Sequence, residues 1–103
     1  MAESHATAVS KGWWEKERSF GDLMANVHAE VSEAFEAYRE GDDMQVVARE
    51  LDGKPIGIAS ELADVLIRIF DLCEELNIPL CQALEDKMSY NKRRPYRHGY
   101  KRA

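Results

Sequence analysis

A chain of 103 residues, 45% hydrophobic and 32% charged, has room for one domain around one core and has the composition of an ordinary globular protein. No run approaches the roughly 18 uninterrupted apolar residues of a membrane-spanning helix, so the sequence excludes such a span. The formal net charge of -5 hides an asymmetry: residues 87–103 hold 7 of the 14 basic residues and no acid, leaving the rest with 7 basic against 19 acidic residues, a net of -12.

In chain order, residues 1–10 are small and polar and are expected to be flexible. They carry no apolar signal core, and the only cysteines, Cys73 and Cys81, fall on expected apolar helix faces. Two such cysteines read as small buried hydrophobes rather than a disulfide, and the two observations together point to the cytoplasm. Trp13 and Trp14 either anchor the N-terminal arm or line a pocket. Ser19 is an expected N-cap, with Asp22 three residues on as in a capping box. From Phe20 to about Glu40, the residues Leu23, Met24, Val27, Val31, Ala34, Phe35 and Tyr38 recur at helical spacing, and Gly41 ends the helix. Asp42 or Asp43 is expected to cap a shorter helix to about Leu51, with Met44, Val47 and Leu51 inward.

Residues 52–57 form a loop. The stretch 57–76 is apolar at nearly every angle except for one polar line, Glu61, Asp64, Arg68, Asp71 and Glu75. Such a helix needs burial on most sides and is expected at the centre of a bundle, with Asp71 and Glu75 facing solvent. Its demand for partners, in so short a chain, predicts a homo-oligomer. After the turn Asn77-Ile78-Pro79, a last helix to about Lys92 is expected to turn Leu80, Ala83, Leu84 and Met88 inward. Residues 93–103 are an irregular basic tail. The expected fold is an all-α, four-helix bundle in one domain spanning 1–103.

Two constellations carry chemistry. Glu30/Glu33 and Glu61/Asp64 are each spaced i, i+3, so each pair shares a helix face. If the helices pack, four carboxylates converge, an arrangement that calls for a hard cation or for protonation. Spacing alone does not separate this from a solvated face, because Glu33/Glu36 and Glu40/Asp43 repeat it. The second constellation is Lys87, Asn91, Arg94, Arg97, His98 and Lys101, which suits phosphate and sugar contacts or simply offsets a helix dipole. His5 and His28 have no partner evident in the sequence.

The runs HAEVSEAFEAYREGD (28–42), DGKPIGIASELADVLIRIFDLC (52–73) and KMSYNKRRPYRHGYKRA (87–103), in that order, resemble the MazG-like nucleotide pyrophosphohydrolases, all-α NTP pyrophosphatases with an E-x-x-E helix followed by an E-x-x-D helix. The resemblance spans residues 12–103. It implies that Glu30, Glu33, Glu61 and Asp64 ligate Mg²⁺, with Mn²⁺ as the alternative ion. Glu33, or Glu30 beside it, would activate water. Lys87, Asn91, Arg94 and Lys101 would contact the substrate, and Trp14 would line the base pocket. It further implies hydrolysis of an NTP or dNTP to the monophosphate and pyrophosphate, a housecleaning role, and a homodimer or a dimer-of-dimers tetramer. Two other readings stand beside it: a non-catalytic helical interaction module, and nucleic-acid binding through the basic tail, against which the acidic body argues.

Overall fold

The expected helix boundaries rest on local chemistry, and a computed structural model, which describes residues 2–95, shows how that chemistry is used. Helix α1 spans Ala2–Ser10, α2 Phe20–Arg39, α3 Ile58–Glu75 and α4 Leu80–Arg93; two short strands, β1 at Ala48–Arg49 and β2 at Pro55–Ile56, lie between α2 and α3. No described helix is long and apolar enough to cross a membrane.

Ser19 caps α2, its hydroxyl accepting from the backbone N–H of Asp22 at 3.0 Å. Three helices end in the same way. Gly12 (φ 81°), Gly41 (φ 93°) and Asn77 (φ 56°) take the left-handed conformation just past the last turn. The following residue then donates back into the helix: Trp13 to Ala8 O, Asp42 to Ala37 O and Ile78 to Cys73 O, at 3.0, 3.1 and 2.9 Å. This pairing satisfies carbonyls that a helix end otherwise leaves open, and glycine or asparagine adopts the required conformation at least cost.

The core lies where the first half of α2 meets the last half of α3. Leu23, Leu72 and Cys73 are buried there, with Trp14, Met24, Val27, Ile69, Ile78 and Leu80 packed around them. Burial pushes the Cys73 thiol up from its ordinary value. Contacts between the start of α2 and the end of α3 make the two helices antiparallel. The expectation that α3 is central holds, since both α1 and α2 pack against it.

Four expectations are corrected. Residues 2–10 are not a loose arm but a helix, rich in alanine and docked on α3. Residues 43–51 are not a helix: Ala48 pairs with Ile56 and Arg49 with Pro55 in an antiparallel hairpin. The Glu50 N–H bonds Lys54 O at 2.8 Å, and Gly53, at φ 90°, closes the turn. The β-branched pair Val46-Val47 and the Asp52-Gly53 turn favour this hairpin over a short helix, and Met44, Val47 and Leu51 consequently lie exposed.

Third, α4 does not complete a bundle within one chain. Leu84 and Met88 are exposed, as is Cys81: beyond Leu80, which packs against the core, the apolar side of α4 is left uncovered. Fourth, Asp71 does not face solvent but is 1% exposed. It is tolerated there because one oxygen, Oδ1, accepts the Trp14 indole N–H at 2.8 Å and pairs with His5 Nδ1 at 2.9 Å. His5 Nε2 also lies 3.5 Å from Glu75 Oε1, so His5 spans two carboxylates and ties α1 to α3.

Candidate metal centre

The antiparallel packing of α2 on α3 sets the middle of α2 beside the first turn of α3. Carboxylate oxygens of Glu30, Glu33 and Glu61 there lie within 4.8 Å of one another. Glu30 and Glu61 are half-buried and Glu33 is exposed. Asp64, also half-buried, stands one turn beyond Glu61 and flanks this trio without joining it; its charge acts on both Glu30 and Glu61.

Both half-buried acids are pushed above the ordinary glutamate value of 4.5. For Glu30 the main cause is burial. The nearness of the Glu33 carboxyl and the charges of Glu33 and Asp64 add to it, and Arg68 opposes it. For Glu61 burial again leads, followed by the charges of Glu33 and Asp64, with Lys54 opposing. Arg68 Nε is 3.9 Å from Glu30 Oε1, a long and therefore weak pairing. Among the described residues the other oxygen, Glu30 Oε2, is buried with no hydrogen-bond partner. A desolvated carboxylate oxygen left unpaired among like charges is unfavourable. An all-oxygen donor set with that defect fits a hard divalent cation, which would supply the missing partner and cancel the repulsion.

Beside the acid set, a cleft of about 670 Å³ opens between α1 and α3, lined by Lys11, Trp13, Arg18, Arg68 and Phe70 among others. Arg68 belongs to both places. Its guanidinium lies 4.1 Å from the centre of the Trp13 ring, and that of Arg18 lies at the same distance. The two tryptophans sit in different places. Trp14, expected at a base pocket, packs on the core and bonds Asp71, whereas Trp13 lines the cleft.

Lys87, Asn91 and Arg94 are carried on or just after α4; no hydrogen bond or ion pair joins them to the acid set, and Arg94 instead lies 5.6 Å from the Tyr90 ring centre. Lys101, Arg97 and His98 lie outside the described residues. His28 is exposed and makes no described polar contact. Of the anchoring and pocket-lining roles open to Trp13 in the sequence, it takes the second, at the cleft. Sequence reasoning did not single out Arg18, and it gave His5 no partner, because their partners are set by the fold of α1 on α3 past Gly12. No protein family, curated protein or solved structure matches this chain.

Proposed function

We propose that the chain is a Mg²⁺-dependent nucleoside triphosphate pyrophosphohydrolase of the MazG-like kind. The observation that carries this reading is the convergence of carboxylate oxygens of Glu30, Glu33 and Glu61 within 4.8 Å of one another, with the buried Glu30 Oε2 lacking a hydrogen-bond partner among the described residues. Glu30, Glu33 and Glu61 hold the ion, with Asp64 as the fourth acid. When bound, Mg²⁺ supplies charge neutralisation of the triphosphate and polarisation of a phosphoryl oxygen.

The chain's own residues supply the rest. Glu33, the most exposed of the trio, orients the attacking water and accepts its proton. Glu30, with its carboxyl already pushed up by burial and by Glu33, is the acid best able to share that proton. Water attacks phosphorus at the α–β anhydride; the bridging P–O bond breaks and leaves a nucleoside monophosphate and pyrophosphate. Lys87, Asn91 and Arg94 contact the phosphates and sugar.

The same reading includes a homo-oligomer, a dimer or a pair of dimers. Val31 and Phe35 of α2, Leu62 and Leu66 of α3 and Leu84 and Met88 of α4 are all about half exposed, an apolar area beyond the usual single-residue scatter of a monomer's surface. A second copy would cover it and bring further side chains, those of α4 included, near the acid set.

The deciding experiment measures pyrophosphate release from a panel of ribo- and deoxynucleoside triphosphates with Mg²⁺. Release from at least one of them, lost on chelation, is expected. No release from any, at high protein concentration, would remove the enzyme reading.

A further inference from the structure

One feature of the surface runs against the charge of the molecule. Residues 1–86 carry 7 basic and 19 acidic residues. Yet the cleft between α1 and α3 gathers Lys11, Arg18 and Arg68, with Glu3 the one acid among its described lining residues, the Glu15 carboxylate against Gly12 at its edge, and the Ser4 and Thr7 side chains beside them. Three like charges brought together in a concave site repel one another and raise the local concentration of anions.

Their own molecule leaves them largely unpaired. Among the described residues, no carboxylate lies within ion-pair distance of Lys11 or Arg18, and Arg68 has only the 3.9 Å approach to Glu30. The two arginines are nonetheless held in place. Arg18 Nε donates to the Trp13 carbonyl at 3.0 Å, and both guanidiniums rest at 4.1 Å from the centre of the Trp13 ring. Fixing a guanidinium by Nε and by its face leaves its two terminal nitrogens as a free, oriented fork, the geometry that matches phosphate oxygens. Gly12 sets this up. Its left-handed turn ends α1 and returns the chain so that Lys11, Trp13 and the α1 side chains line one cleft.

We propose that this cleft is an anion subsite that takes the phosphate chain of a nucleoside polyphosphate or of inorganic polyphosphate through Lys11, Arg18 and Arg68. The inference rests on the pyrophosphohydrolase reading only for joining this subsite to the acid set in one substrate path. Arg68 provides the physical join, since it lines the cleft and faces Glu30. The subsite places phosphate-holding side chains on the α1–α2 connector and α3, in addition to those of α4.

The test uses the full chain with a chelator present, so that binding is read without metal and without turnover. Tripolyphosphate, a nucleoside triphosphate and the corresponding free nucleoside are titrated by calorimetry and by tryptophan fluorescence, which Trp13 is placed to report. Saturable tripolyphosphate binding that weakens as salt rises is expected. Arg18→Gln and Lys11→Gln are each expected to weaken it by about tenfold or more, and Arg18→Lys to restore only part, because the fork is lost. Lys11 is exposed, so its variant reports binding even if removing Arg18 from Trp13 perturbs the fold. Tighter binding of the triphosphate than of tripolyphosphate would assign the natural ligand to the nucleotides, and the reverse to inorganic polyphosphate.

Absent binding, equal binding by wild type and both Gln variants, or a free nucleoside that binds as tightly as its triphosphate would each overturn the proposal. Mg²⁺-dependent turnover with unchanged KM in both variants would sink the subsite while leaving the enzyme reading intact. Anion binding without turnover would do the opposite.

Discussion

The substitution Glu61→Gln separates a metal centre from a fortuitous acid cluster, because its effect on stability should change sign with the metal. Without an ion, Glu61 repels Glu30 and Glu33, whose oxygens lie within 4.8 Å. Two unit charges at that distance repel by roughly 1 kcal/mol at the permittivity of water and about 3.5 kcal/mol at an effective permittivity of 20. Exposure of Glu33 screens its share, so the lower figure is the better guide. Neutralising Glu61 should therefore stabilise the metal-free protein by about 1 kcal/mol, an upward shift in Tm on the order of 4–8 °C for a domain of this size.

With Mg²⁺ the order should reverse. Saturating metal at about 100 times its Kd adds about 2.7 kcal/mol to the wild type, and a variant lacking one ligand should gain little. The pH dependence follows the same logic. The folded-state values of Glu30 and Glu61 lie above the ordinary 4.5, so the folded state binds protons more tightly than the unfolded chain. The resulting penalty is absent below about 4.5 and sets in as pH rises through the raised folded values. In chelator, the wild-type Tm should therefore climb as pH is lowered toward the ordinary value of 4.5, and less so in Glu61→Gln. Thermal unfolding in chelator and in Mg²⁺, with pyrophosphate release on the same samples, checks all of this. A Gln variant less stable than wild type in chelator, or one that keeps Mg²⁺-dependent stabilisation and turnover, would refute the assignment.

Two further outcomes are expected. Asp71→Ala strands the Trp14 indole N–H inside the core and frees His5, and should cost about 3 kcal/mol in urea unfolding, with Asp71→Asn losing less because it retains an acceptor; an Ala variant as stable as wild type would show that this latch contributes nothing. In sedimentation velocity, the wild type should run as a multiple of its 11.8 kDa chain mass, and Leu66→Glu, which charges an exposed apolar face of α3, should shift it toward monomer; a monomeric wild type would remove the oligomer.

What the sequence determined was what neighbours along the chain decide. The extents of α2 and α3, the Ser19 cap and the ends at Gly41 and Asn77 all depend on contacts within a few residues, and they appear as read; the burial of the two apolar stripes does not, since Val31, Phe35 and Tyr38 of α2 and Leu62, Leu66 and Ile67 of α3 are exposed. The i, i+3 spacing of Glu30/Glu33 and of Glu61/Asp64 likewise followed from helix geometry alone. Tertiary structure decided everything that depends on distant partners. Only the antiparallel packing of α2 on α3 brings Glu61 to Glu30 and Glu33 and leaves Asp64 at the flank. Asp71 could not be recognised as buried from its own helix, since the two groups that make burial tolerable come from 57 and 66 residues away. For the same reason α1 escaped notice: it has no apolar stripe and is docked through His5. The split between Trp14 in the core and Trp13 in the cleft, one residue apart, was settled by which of them could reach Asp71.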